Sequence, residues 1–171
     1  MEKCIAVVGV GNILMADEGV GVKVLQELKR RDLEKEIDLV DAGTGFFTIV
    51  SDLSSYDKVV IIDAVRGGKA PGTIYRFELS DIAMRGIGDD DGFLSVHDIG
   101  VPQALRMHSL VGSLPDEIVL YGVEPLSIKL SLEVTPRLKP VVGRLADLVV
   151  EEIKQDKQSR RKGNGCQCSK T

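Results

Sequence analysis

The 171-residue sequence lacks any apolar stretch approaching the ~18 residues that a membrane-spanning helix needs, so no transmembrane segment is expected. It also lacks a basic excess. Lys and Arg total 22 against 26 Asp and Glu, a formal net charge of -4, and this excludes a general nucleic-acid binder with its basic face. Cysteine is scarce: Cys4 lies in the first apolar run, and Cys166 and Cys168 lie in the last six residues. Thiols so placed form no disulfide framework and suit a reducing cytosol. No charged-then-apolar leader precedes the first strand-like segment, and no internal repeat is visible. A cytoplasmic protein without membrane or nucleic-acid partners is expected.

What is present is the balance of an ordinary globular protein, 43% hydrophobic and 28% charged. The length fits one domain, with a core large enough to fold without disulfides or a structural metal. The expected division is a single domain over residues 1–155 and a polar, basic, disordered tail over 156–171.

The pattern along the chain alternates between strand and helix. Cys4–Val8 is an unbroken apolar run ending in Gly9 and Gly11, as expected of a strand buried on both faces of a mostly parallel sheet. Val20, Val24, Leu25 and Leu28 then recur at helical spacing, and Asp17 stands at the N-cap position of a helix over 17–31. Ile37–Val40 reads as a second strand, and Thr44 as the cap of a helix with Phe46, Ile49, Val50 and Leu53 on its apolar face. Lys58–Asp63 is a third strand ending on a carboxylate. After the Pro71-Gly72 turn, Thr73–Phe77 is a fourth; the short gap between these two predicts that they pair antiparallel. Residues 85–96 read as a loop, followed by a helix with Pro102 in its first turn and Val101, Ala104, Leu105, His108 and Val111 on one face. Glu117–Val123 is a fifth strand. Thr135-Pro136 is a helix start, followed by the amphipathic stripe Leu138, Val141, Val142, Leu145, Leu148 and Val149. The whole predicts an α/β three-layer sandwich: a central mixed, mostly parallel five-stranded sheet with helices on both faces.

In such folds ligands meet the C-terminal ends of the strands. Three acidic or imidazole groups stand there: Glu18 after the first strand, Asp63 at the end of the third, and His97 at a loop-to-helix junction. A carboxylate after an all-apolar strand is informative, because burying it without a partner is costly. One imidazole and two carboxylates suit a borderline divalent metal with coordination positions left open. Spacing alone favours the plainer reading of helix-cap and surface carboxylates with an exposed histidine.

The segment Gly9-Val10-Gly11-Asn12-Ile13-Leu14-Met15-Ala16-Asp17-Glu18-Gly19-Val20-Gly21 resembles the opening signature of nickel–iron hydrogenase maturation proteases. The likeness continues in order through Asp41-Ala42-Gly43-Thr44, Ile62-Asp63-Ala64 with Pro71-Gly72-Thr73, Ser95-Val96-His97, Gly122-Val123-Glu124-Pro125, and Leu132 to Pro136. It covers roughly residues 3 to 153. The resemblance implies an endopeptidase that removes the C-terminal extension of a hydrogenase large-subunit precursor after nickel insertion. It places the metal-contacting positions on Glu18, Asp63 and His97, and a substrate-handling aspartate on Asp41. The nickel is implied to belong to the precursor, bound there by cysteine thiolates, and not to be a resident cofactor. Gly9, Gly11 and Asn12 would shape the loop that presents Glu18.

Other readings compete. Gly9-x-Gly11 after a strand also suggests dinucleotide binding by an oxidoreductase, but the third glycine of that fingerprint falls on Leu14, and Asp41 lies too far on. His97-Asp98 spells a phosphohydrolase signature without its earlier histidine. A non-enzymatic nickel chaperone would carry the same site. His108 reads as a packed core histidine, Cys166 and Cys168 as incidental, and Asp89–Asp91 as a solvated loop.

Overall fold

The computed structural model describes residues 4–78, 94–95 and 100–163, with 94–95 and 156–163 described as backbone only. Strands are β1 (Ile5–Val10), β2 (Asp38–Gly43), β3 (Lys58–Arg66), β4 (Ile74–Glu78), β5 (Leu94–Ser95) and β6 (Glu117–Val123). Helices are α1 (Val20–Arg30), α2 (Phe46–Ile49), α3 (Val101–Ser109) and α4 (Lys139–Gly163). The main path of the sheet runs β2-β1-β3-β6-β4, with β5 off this path beside β3. The pairs β1–β2, β1–β3 and β3–β6 are parallel. The sheet is therefore mixed and mostly parallel, as its apolar strands require.

Side-chain alternation splits the core into two layers. Ile5 and Val7 of β1, Val60 and Ile62 of β3, and Val119 and Tyr121 of β6 face α1 and α4. Ala6, Val8, Val59, Ile61, Ile118 and Leu120 face α2 and α3. Both layers exclude water from β3, whose first eight residues are all buried. Among the described residues no helix is long and apolar enough to cross a membrane.

Several local expectations are corrected. β4 does not pair with β3; it lies antiparallel to β6, with Ile74 opposite Val123 and Glu78 opposite Val119. Its partner is thus a strand far downstream, and β6 fills the position beside β3 that a hairpin would have taken. The antiparallel neighbour of β3 is instead β5, with Val65 opposite Ser95, so Leu94 and Ser95 are strand where a loop was expected. The rest of that loop, including Asp89–Asp91, lies outside the described residues. β2 continues to Gly43 and so contains Asp41. Gly45, and not Thr44, occupies the N-cap of α2, with no side-chain cap bond. His108 is half-buried at the end of α3, its ring filling the space above Gly112, and is not a core residue. Val111 lies beyond α3 and is 84% exposed. α4 continues to Gly163, so the backbone of 156–163 is helical where a structureless tail was expected; Cys166 and Cys168 lie outside the described residues.

Candidate active site

The C-terminal ends of β1, β3 and β6 share one end of the sheet because all three run parallel. The chain leaves β1 through Gly11, whose φ of 131° no L side chain adopts comfortably. A Cβ there would also collide with the Glu18 carbonyl. That contact folds residues 12–19 back on the strand end as a tight loop, closed by the Met15 N–H donating to Asn12 O at 3.0 Å and by the Asn12 side chain accepting from Leu14 N–H at 3.0 Å. Ala16 sits at φ 50°, a left-handed conformation that costs a non-glycine residue energy. It leads into a 3-10 turn, Ala16–Gly19, whose residues are all buried.

Glu18 is carried on this turn and is 7% exposed. The turn packs on β3, and Gly21, at the start of α1, closes against the carbonyls of Ile62 and Val10 with no room for a Cβ. The first turn of α1 is thus wedged beside the residue preceding Asp63. Asp63 is 1% exposed, and its Oδ1 accepts the Ala64 N–H at 2.8 Å. Strand parity places Asp63 with Val59 and Ile61 on the α2/α3 side of the sheet. The fold therefore brings the Glu18 turn and Asp63 to one end of the sheet.

His97 lies outside the described residues. What is described on either side of it is β5, which sets Ser95 beside Val65, and α3, which begins at Val101. Asp41 is exposed near the end of β2, opposite Gly9, and its Oδ1 accepts the Gly43 N–H at 2.9 Å. It flanks the β1 end at one strand's remove from Asp63. Among the described residues no three His, Cys, Asp or Glu side chains form a metal-sized cluster.

The glycines do not cradle a ligand. The space beside Gly11 is filled by Glu18 O, and that beside Gly9 by Gly21 O and Leu25. A dinucleotide pyrophosphate needs that approach open, so the fingerprint reading has no site here.

Two acidic residues emerge that residue-type reasoning placed wrongly or passed over. Asp17 is fully buried and does not cap α1; the N-cap is Gly19. Its carboxylate accepts the N–H groups of Leu126 (2.9 Å), Ser127 (3.0 Å) and Thr135 (2.6 Å) and the Thr135 hydroxyl (3.0 Å). Asp17 thus fastens the 126–135 segment to the turn bearing Glu18. Thr135 does open the helical bonding of α4, since its carbonyl accepts from Lys139 N–H at 3.2 Å, but its hydroxyl serves Asp17 and not the helix end.

Glu124 follows β6 and is 7% exposed. It accepts from Tyr75 O–H at 2.6 Å and from the N–H groups of Gly67 at 2.8 Å and Lys69 at 3.3 Å. Burial alone would raise its pKa; these donors outweigh burial and hold it below the usual carboxylate value. Burial, and then the bond to Glu124, pushes the Tyr75 phenol up to about 12. Nothing in the local sequence signals either role, because the partners of each acid are distant in the chain. A groove of about 480 Å³ lies between residues 70–74 and the start of α4, edged by Arg137 and Arg144. It contains none of Glu18, Asp41 or Asp63.

Comparison with known proteins identifies the family and the fold. The chain matches the family model of hydrogenase maturation proteases over residues 22–154. A hydrogenase expression/formation protein HupD from Thiocapsa roseopersicina is 31% identical over 153 residues, 88% of this chain and 68% of its own. The hydrogenase 2 maturation protease of Escherichia coli is 28% identical over 153 residues, 88% of this chain and 91% of its own. Among solved structures, the hydrogenase maturating endopeptidase HybD from E. coli superposes with a TM-score of 0.72 at 25% identity, covering 90% of this chain and 93% of that one. The maturation protease HycI from Thermococcus kodakarensis gives a TM-score of 0.70 at 25% identity, with coverage of 89% and 93%. The chain belongs to the hydrogenase maturation protease family and is an endopeptidase of that class.

Proposed function

We propose that this endopeptidase removes the C-terminal extension of a nickel–iron hydrogenase large-subunit precursor once nickel has been inserted, and that Glu18, Asp63 and His97 address that nickel. The observation that carries the reading is the placement of two buried carboxylates, Glu18 and Asp63, at the C-terminal end of the parallel strands of the sheet in a chain of this family. Ser95, the last described residue before His97, pairs antiparallel with Val65, two residues beyond Asp63 on β3. The nickel is the precursor's own, held there by thiolates. Two carboxylates and one imidazole are harder ligands than thiolate, suited to filling open positions on the ion without extracting it. Nickel so engaged would polarise the scissile carbonyl or a bound water. Asp41, exposed at the adjoining strand end, would line the approach of the precursor's peptide.

The test is to mix the purified protein with its host's precursor, nickel-loaded or nickel-free, and to read the products by intact mass. Loss of a C-terminal peptide from the nickel-loaded form alone is expected. The variants Glu18→Gln, Asp63→Asn and His97→Ala should each abolish processing with the fold intact. Equal cleavage of both precursor forms would refute nickel gating. Retained cleavage in all three variants would refute the site.

A further inference from the structure

Large aliphatic side chains cluster in the open around the Glu18 turn. Ile13 and Leu14 are 40% and 50% exposed; Leu126, Leu130 and Leu132 are 55%, 82% and 61% exposed. Five of the nine exposed large apolar residues among those described thus fall in two short segments. By contrast Leu28, Leu53, Leu105, Leu138 and Leu145 are buried to 2% or less. Single exposed leucines are ordinary, but a contiguous group is not.

The two segments form one surface. Met15 and Ser131 make a parallel bridge, Ser131 N–H donates to Leu14 O at 2.8 Å, and Ala16 N–H donates to Ser131 O at 2.9 Å. The bridge is flanked by Leu14 on one segment and by Leu130 and Leu132 on the other, and all three are at least half exposed. Asp17 fixes Leu126 to the same turn through the Leu126 N–H. Residues 125–132 (PLSIKLSL) carry one charge, Lys129. Buried Asp17 and left-handed Ala16 hold these segments in place, so the leucines are displayed on a fixed frame.

We infer that this patch is the docking surface for the large-subunit precursor, taking an apolar region of that protein next to the peptide it presents for cleavage. The inference rests on the function proposed above. The occupant follows from position: the leucines are borne on the loop that carries Glu18 and on the segment bonded to it, so a protein whose peptide reaches Glu18 comes up beside them. A second copy of this chain on the same leucines would cover the approach to Glu18 and exclude the substrate.

The experiment measures binding of nickel-loaded precursor to immobilised enzyme, with cleavage followed separately by intact mass. The variant carrying Leu126→Ser, Leu130→Ser and Leu132→Ser together should bind about ten-fold more weakly or worse, the effect expected when central apolar contacts of an interface are truncated. Its half-saturating precursor concentration should rise in step, with kcat within about two-fold of the parent, because the chemistry is untouched. Leu110→Ser with Val111→Ser, equally exposed but at the end of α3, should change neither. If the triple variant melts lower, Leu130→Ser alone is read, since a side chain so exposed supports no core; it should still weaken binding about three-fold. Unchanged binding in both leucine variants overturns the docking surface. So does a parent dimer that the triple variant dissociates without loss of precursor affinity. A parent that binds precursor through these leucines yet cleaves neither form supports the docking surface while refuting the proposed function.

Discussion

Replacing Asp17 separates two accounts of why an aspartate precedes Glu18. An N-cap contributes about 1 kcal/mol, and its loss would lower the melting temperature of a chain this size by roughly 2–4 °C. The structure instead gives the carboxylate four donors, three of them backbone amides, inside a fully buried site. Hydrogen bonds to a charged acceptor contribute more than neutral ones, and removing the acceptor leaves buried donors unsatisfied. Because the four act as a unit they do not sum, and about 4 kcal/mol is expected for Asp17→Ala. This corresponds to a fall of roughly 8–16 °C. Asp17→Asn is the informative companion. Its oxygen can take the Oδ2 position, which serves Leu126, Ser127 and the Thr135 hydroxyl, while its NH₂ then faces the Thr135 N–H, donor against donor. About half the loss is expected, near 2 kcal/mol. Thermal melting gives the magnitudes, and amide hydrogen exchange at Leu126, Ser127 and Thr135 gives the place. An Asp17→Ala protein melting within about 4 °C of the parent, with those amides still protected, would refute the clamp and restore the helix cap.

Two further perturbations test other parts of the frame. Glu152 on α4 is the acceptor for Lys58 at 2.8 Å, for Arg76 at 3.1 Å and for Tyr121 at 3.0 Å, at the opposite end of the sheet from Glu18. Burial opposes its ionisation, but Arg76, Lys58 and Tyr121 prevail and bring it down to about 2 from 4.5. A depressed folded-state value means its stabilisation is fully present above pH ~4.5 and is lost as pH falls toward 2. Glu152→Gln should cost about 2 kcal/mol at pH 7, allowing for partial exposure, and flatten the acid limb of melting temperature against pH. An unchanged limb would show that another carboxylate governs it. Gly21→Ala places a methyl group on the carbonyls of Ile62 and Val10, neither of which is a flexible side chain. The expected loss is about 3 kcal/mol or more, and processing should fall with it because α1 is pushed away from the Asp63 end of β3. A stable, fully active Gly21→Ala protein would show that this approach has slack.

The strands were legible in the sequence because burial on both faces leaves unbroken apolar runs such as 59–62, and the carboxylate that follows that run drew attention to Asp63. Glu18 was legible in the same way, as an acid just past a strand end. Pairing was not legible. Ile74–Glu78 has only one apolar-run neighbour nearby, β3, yet its partner is β6, whose residues lie more than forty positions on. Nothing local distinguishes a short hairpin from a strand that steps over its neighbour's place. The role of Asp17 was hidden for the same reason, since every group it binds lies beyond residue 125. Asp before an amphipathic helix has a local explanation, and the local explanation was the wrong one.

The glycine-rich opening shows how one pattern can serve opposite purposes. In a nucleotide-binding loop, missing side chains admit a phosphate to the backbone. Here the same absences admit the protein's own backbone: Glu18 O occupies the space at Gly11, and Ile62 O and Val10 O the space at Gly21. The consequence is a loop with little freedom to adapt, pinned to β1 by glycine contacts and to the 126–135 segment by Asp17. For the function proposed above such a frame is an advantage, because a carboxylate that is to meet a metal held by another protein is best placed before the encounter. On this view Glu18 is positioned by the backbone of its own turn, and the leucines beside it by the same turn. Chemistry and docking then share one rigid element, so a substitution that loosens Asp17 should weaken both together.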